Sequence, residues 1–227
     1  MSQIELKASD GHTLGGYEAN PTGKPRGGIV VVQEIFGVNS HIRSICDRFA
    51  AEGYVAIAPA IFDRFERDFE TGYTPENVEL AKALIAKFDM GKCLLDVAAA
   101  REAVGSAGKI GIVGFCLGGS VAFATATRLD GFSAATCFYG GMAQKFAGEK
   151  ARCPVQFHFG ADDASIPPEN YLEVKAKQPG AEFYVYENAG HGFHCDARGS
   201  YTQAASALAW QRTLDFFARR VAAGPGV

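Results

Sequence analysis

Apolar residues along this chain gather into short dense runs separated by longer mixed stretches. Gly27-Gly28-Ile29-Val30-Val31-Val32-Gln33 is a continuous β-branched run with the length of a strand covered on both faces. Runs of the same kind recur at Tyr54-Val55-Ala56-Ile57-Ala58, Lys109–Val113, Phe132–Tyr139, Val155–Phe159 and Phe183–Tyr186. Between them lie stretches of helical character, at about Ser40–Glu52, Pro75–Phe88, Lys92–Ser106, the segment after Cys116, Pro168–Lys177 and the amphipathic Tyr201–Arg220. Repeated strand-helix alternation predicts an α/β protein with a mostly parallel central sheet, helices on both faces and right-handed crossovers. A ligand site then belongs at the carboxyl ends of the strands. Ile4–Lys7 and Thr13–Tyr17, separated by Asp10-Gly11, suit an antiparallel hairpin at the sheet edge. Asn20–Arg26 reads as a turn and Ala222–Val227 as a frayed tail, so residues 1–227 are expected to form one domain.

Composition leaves that picture intact and narrows the function. The 227 residues are 48% hydrophobic and 21% charged, with a formal net charge of −3, the profile of an ordinary globular chain with no electrostatic pull toward nucleic acid or an anionic membrane. Met1-Ser2-Gln3-Ile4-Glu5-Leu6-Lys7 lacks the basic and apolar segments of a secretory signal, and no run of about 18 apolar residues occurs, so the expected location is the cytoplasm. Six cysteines are scattered without a Cys-x-x-Cys pair, which suits neither a disulfide framework nor a zinc site. No cofactor, metal, nucleic acid or membrane is expected as a partner, and the modest size favours a monomer acting on a small molecule.

One cysteine stands apart. Gly114-Phe115-Cys116-Leu117-Gly118-Gly119 follows the apolar run Ile110-Gly111-Ile112-Val113 and opens a helical stretch. A strand that turns sharply into a helix strains its apex residue and leaves no room for bulk beside it, which Gly114 and Gly118 accommodate. This is the Gly-x-nucleophile-x-Gly elbow, with cysteine at the position where serine is usual. The following helix would aim its unpaired N–H groups and positive dipole end at the same spot, favouring a thiolate and an oxyanion. Glycine-rich strand-to-helix turns also bind phosphate, and buried cysteines are commonly inert packing.

A base and an orienting acid should follow the nucleophile at later strand ends. His191 sits in the glycine-flanked loop Glu187-Asn188-Ala189-Gly190-His191-Gly192-Phe193, straight after the last short run. His194 lies further on, His158 falls inside a strand-like run, and His12 and His41 come early. Of Asp162 and Asp163, spacing from Gly160 and Pro167 favours Asp163, which would accept the histidine Nδ1 proton. Gln33-Glu34-Ile35-Phe36-Gly37-Val38-Asn39 occupies the loop that supplies the second oxyanion donor, assigned to Ile35 beside Leu117. Glu34 at the end of a buried strand demands a partner. An arginine such as Arg43 or Arg64 would be one.

Together these segments, with Phe88-Asp89-Met90, resemble the dienelactone hydrolase family of α/β-hydrolases, whose nucleophile is a cysteine. The resemblance spans nearly the whole chain. It implies an α/β-hydrolase fold, a catalytic triad of Cys116, Asp163 and His191, and Glu34 as an auxiliary carboxylate paired to the resting thiol. It further implies carboxymethylenebutenolidase activity, opening 4-carboxymethylenebut-2-en-4-olide to maleylacetate in the breakdown of chloroaromatic compounds. Family members specific for dienelactone hold the substrate carboxylate with two arginines, one four residues after the histidine and one about ten before the Phe-Asp pair. This chain has Cys195 and Val78 there, leaving Lys82, Arg198 and Arg64 as candidate replacements. Phe36 and Phe115 are candidate substrate contacts alongside Lys82 and Arg198. A broad small-ester carboxylesterase or thioesterase with the same triad is the second reading, and a non-hydrolytic receptor on the same scaffold the third.

Overall fold

A computed structural model of the chain describes residues 2–222. The tail expected over Ala222–Val227 lies, from residue 223 onward, outside the described residues. Eight strands form one sheet: β1 (Ser2–Lys7), β2 (Thr13–Ala19), β3 (Gly28–Val32), β4 (Val55–Pro59), β5 (Ile110–Phe115), β6 (Ala134–Phe138), β7 (Val155–Gly160) and β8 (Glu182–Tyr186). Six α-helices accompany them: α1 (Ser40–Ala51), α2 (Pro75–Ile85), α3 (Met90–Ala103), α4 (Leu117–Arg128), α5 (Pro168–Lys177) and α6 (Gln203–Arg220). The strand order is β1-β2-β4-β3-β5-β6-β7-β8. Pairing is antiparallel for β1 with β2 and β2 with β4, and parallel from β4 to β8.

Burial explains which runs became central strands. Every residue of β3, β5, β6 and β7 is buried, as runs without polar alternation require, whereas the edge strand β8 is mostly half-exposed. Helices α1 and α6 share a face of the sheet, where Phe49 meets Trp210 and Phe217 with ring centroids 4.7 and 5.8 Å apart. On the other face α3 and α4 pack against each other and over the central strands. Helix starts follow side-chain caps: Asn39 accepts from the Ile42 N–H, Thr74 precedes Pro75, and Asp89 accepts from the Lys92 N–H at 2.8 Å. The Asp89 cap begins α3 at Met90, two residues before the start expected from the sequence. Among the described residues, no helix is long and apolar enough to cross a membrane.

The strand order creates the site. From β3 the chain crosses to β4 on one side, then returns to β5 on the other side of β3. Loops leaving adjacent parallel strands in opposite directions open a crevice at their carboxyl ends. The Gln33–Asn39 loop leaves β3 at that point, and Cys116 ends β5 beside it.

Candidate active site

Cys116 caps α4 with φ 55° and ψ −114°, a left-handed conformation that side chains rarely adopt. Neighbouring glycines make it attainable. A Cβ on Gly114 would overlap the Gly118 carbonyl, one on Gly118 the Val32 carbonyl, and one on Gly119 the Phe138 carbonyl. The first turn of α4 therefore rests directly on the ends of β3, β5 and β6, with the thiol held half-exposed at its N-terminus. The Cys116 N–H is tied to the Phe138 carbonyl at 3.0 Å, while the Leu117 N–H has no protein acceptor among the described residues. Neither has the Ile35 N–H across the crevice. Two free amides thus sit on the loops at the crevice, one of them directly after Cys116, and such donors suit a tetrahedral oxyanion.

The later loops bring the histidine and the acid to this point. His191 Nε2 lies 3.1 Å from Cys116 Sγ, and its Nδ1 lies 2.8 Å from Asp163 Oδ2. Asp163 is buried and its other oxygen accepts the Ser165 N–H at 2.8 Å, which fixes the carboxylate in place. Asp162 points outward, exposed, with its N–H bonded to Ala189. Ser200 Oγ donates to the His191 carbonyl at 2.6 Å and anchors the loop. Burial disfavours charge on His191, but the negative charges of Cys116 and Asp163 outweigh it and push its pKa up to about 10. The imidazole thus bridges the Cys116 sulfur and the Asp163 carboxylate.

The other histidines serve the interior. His158 is enclosed within β7, with Tyr186 Oη and Gln156 Oε1 each 2.8 Å from its ring nitrogens. His194 stacks between Phe115 and Trp210, with Ser206 Oγ at 2.9 Å. His12 is half-buried far along the chain from the elbow, and His41 lies on the first turn of α1.

Glu34 has the arginine partner its burial demands, though neither of the two given as examples, and it is not bonded to the thiol. Its Oε1 accepts from Arg198 Nη1 at 3.1 Å, so its ionic partner is neither Arg43 nor Arg64, and its hydrogen bond goes to the guanidinium rather than the Cys116 thiol. Arg43 is held bidentately by Glu70, and Arg64 by Asp96 and Asp10. Arg198 lies over Gly192, where a Cβ would strike the guanidinium, with the rings of Phe36 and Tyr73 5.6 and 5.8 Å away.

Of the four candidate substrate contacts, two are sealed in the core and a third is paired with another side chain. Phe115 is completely buried against Phe138 and His194, and Phe36 is sealed edge-on beneath Tyr73. A side chain that lengthens a buried strand points into the core as readily as into the crevice, and both phenylalanines took the core. Lys82 stands exposed on α2, bonded to Glu79 at 2.8 Å. Only Arg198 is at the site. Tyr139, an aromatic that sequence leaves open between core and pocket lining, has its ring centroid 5.3 Å from that of His191. Its signal was its place at the end of β6, where it too adopts positive φ, 36°.

The whole arrangement lies within a match to the dienelactone hydrolase family over residues 14–221. The chain belongs to the dienelactone hydrolase family. As a member it is a hydrolase with the α/β-hydrolase architecture described above. A carboxymethylenebutenolidase of Pseudomonas putida is 35% identical over 228 residues, covering 95% of each chain. A Synechocystis protein that bears the carboxymethylenebutenolidase name provisionally is 36% identical over 224 residues, covering 90% of this chain and 91% of its own. Among solved structures, a Klebsiella pneumoniae protein provisionally described as a dienelactone hydrolase superimposes with TM-score 0.84 at 31% identity, covering 96% of this chain and 100% of the other.

Proposed function

We propose that this family member hydrolyses enol lactones, dienelactone (4-carboxymethylenebut-2-en-4-olide) among them, through a Cys116–His191–Asp163 triad and an acyl-enzyme. The observation that carries the reading is the unbroken line from Cys116 Sγ through His191 to Asp163, beside two unpaired amides. The Cys116 thiolate attacks the lactone carbonyl carbon, and the displaced electron pair rests on an oxygen held by the Ile35 and Leu117 N–H groups. Collapse breaks the ring C–O bond and releases an enolate, which takes the His191 proton and becomes a ketone. A water then gives its proton to the now neutral His191 and attacks the thioester, and the thiolate departs. Asp163 keeps the imidazole in the tautomer that faces the sulfur and supports its charge.

A thiolate is itself a good leaving group, so the first intermediate partitions forward only when the substrate's leaving oxygen is stabilised. Enolates and phenolates meet that condition, and amines do not. Arg198 supplies the cation for a substrate carboxylate, exchanging Glu34 for the incoming anion. The Pseudomonas putida relative named carboxymethylenebutenolidase supports the lactone assignment. The absence of arginine at Cys195 and Val78 favours a second reading, a small-ester carboxylesterase or thioesterase using the same triad.

Kinetics on cis- and trans-dienelactone against aryl esters and acyl thioesters separate the two. The lactonase reading expects kcat/KM for a dienelactone to exceed that for p-nitrophenyl acetate, and all activity to vanish in Cys116→Ala. Equal or higher kcat/KM for the aryl ester overturns it in favour of the esterase, and activity surviving in Cys116→Ala removes the triad.

A further inference from the structure

Beside Arg198, donor atoms of three buried side chains converge, and those of His41 and Glu34 lack a hydrogen-bond partner. His41 is 5% exposed, and neither of its ring nitrogens has a hydrogen-bond partner. Glu34 Oε2 is buried and unpartnered, because Arg198 takes only the other oxygen. Cys195 is fully buried as a free thiol. One donor atom from each of Glu34, His41 and Cys195 lies within 4.8 Å of the other two.

Leaving such groups unpaired is unfavourable, about 1–3 kcal/mol for each unsatisfied polar atom. A fold that collects an imidazole, a carboxylate oxygen and a thiol at one point has assembled a recognisable donor set. Thiolate with imidazole suits a borderline transition cation rather than Mg²⁺ or Ca²⁺, whose shells are oxygen. Bond lengths of about 2.0 Å to nitrogen and oxygen and about 2.3 Å to sulfur put tetrahedral donors roughly 3.5 Å apart, within reach of side-chain adjustment from the observed spacing.

We propose that Glu34, His41 and Cys195 form a binding site for Zn²⁺. The ion displaces the Cys195 thiol proton to solvent and takes the sulfur, one His41 nitrogen and Glu34 Oε2, with no change of oxidation state. Arg198 stays hydrogen-bonded to Glu34 Oε1, and with thiolate and carboxylate as ligands the cluster of ion, ligands and guanidinium carries one net positive charge. Three protein ligands leave one coordination position for water. Tyr73 adds support from the side, since its hydroxyl bonds Asn39 at 3.0 Å and reaches Cys195.

The site does not depend on the hydrolytic reading, because its test reads metal binding. Equilibrium dialysis of metal-stripped protein against Zn²⁺ is expected to leave one ion per chain in the parent and in Cys116→Ala. His41→Gln and Cys195→Ser should each weaken binding by roughly 100-fold or more, since loss of a direct ligand exceeds the 10–100-fold cost of losing an outer-shell partner. Far-ultraviolet circular dichroism of the zinc-free variants checks that they remain folded. Co²⁺ added to Cys116→Ala gives an independent readout that needs no further variant: a near-ultraviolet thiolate-to-cobalt charge-transfer band. Binding that disappears in Cys116→Ala places the ion on the triad and overturns the proposal. Binding indifferent to both His41→Gln and Cys195→Ser, or cobalt without the thiolate band, overturns it equally.

Discussion

At the scale of single residues, this protein rests on places where only one side chain will fit. Cys116 is held at positive φ by backbone contacts that exclude any Cβ at Gly114, Gly118 or Gly119. Gly114→Ala drives a methyl into the Gly118 carbonyl, which no rotamer change relieves. The variant should lose more than about 4 kcal/mol or fail to accumulate as folded protein, measured by urea unfolding followed by circular dichroism. Arg198 shows the same exclusivity in electrostatics. Glu34 is 1% exposed, and Arg198 is its one ionic partner among the described residues. Arg198→Met leaves that carboxylate buried without compensation, so a loss of about 3–5 kcal/mol is expected. Glu34→Gln combined with Arg198→Met should recover much of it, because the neutral amide no longer needs a cation. Unfolding free energies of the two single variants and the double variant check the coupling.

At the scale of elements, β7 and α6 are tied by a neutral histidine. His158 on β7 stacks on Phe138 and Tyr184, bonds Tyr186 and Gln156, and faces Thr213 Oγ1 of α6 at 3.4 Å. Burial, with the positive charge of Arg212 from α6, holds its pKa well below the usual 6.5. In the unfolded chain the same group protonates near 6.5, so below that pH the unfolded state binds more protons. Stability contributed by neutral His158 is therefore complete above pH 6.5 and declines as pH falls, by about 1.4 kcal/mol per unit. Urea unfolding at pH 7.5, 6.5 and 5.5 should show that added slope in the parent and its loss in His158→Gln. A second tie joins distant elements: Arg64 binds Asp96 of α3 through two contacts of 2.7 Å and Asp10 of the β1–β2 turn at 2.8 Å. Asp96 is completely buried. Asp96→Ala should cost about 3 kcal/mol or more, lowering the thermal midpoint, whereas Asp10→Ala, at the exposed end, should change it far less.

At the scale of the whole molecule, what could be foreseen and what could not divide by the range of the interactions involved. The alternation of strand and helix, the edge hairpin and the elbow at Gly114–Gly119 were legible because each is written in adjacent residues: β-branched runs, capping side chains, glycines beside a strained apex. His191 and the choice of Asp163 over Asp162 were legible through position at strand ends, and burial of Asp163 against exposure of Asp162 brought the expected one to the imidazole. The partner of Glu34 was not legible, since Arg198 stands 164 residues away and reaches it only after the last strand has been laid beside the others. Nor could composition show that Phe36 and Phe115 face inward, or that His41 and Cys195 meet at Glu34. The sequence alone determined the local conformations and the residue types available for chemistry, because sterics and hydrogen bonding act between neighbours. Only the tertiary structure decided the strand order, the crevice between β3 and β5, and which charges neutralise one another, because those depend on packing surfaces that exist only once the sheet has closed.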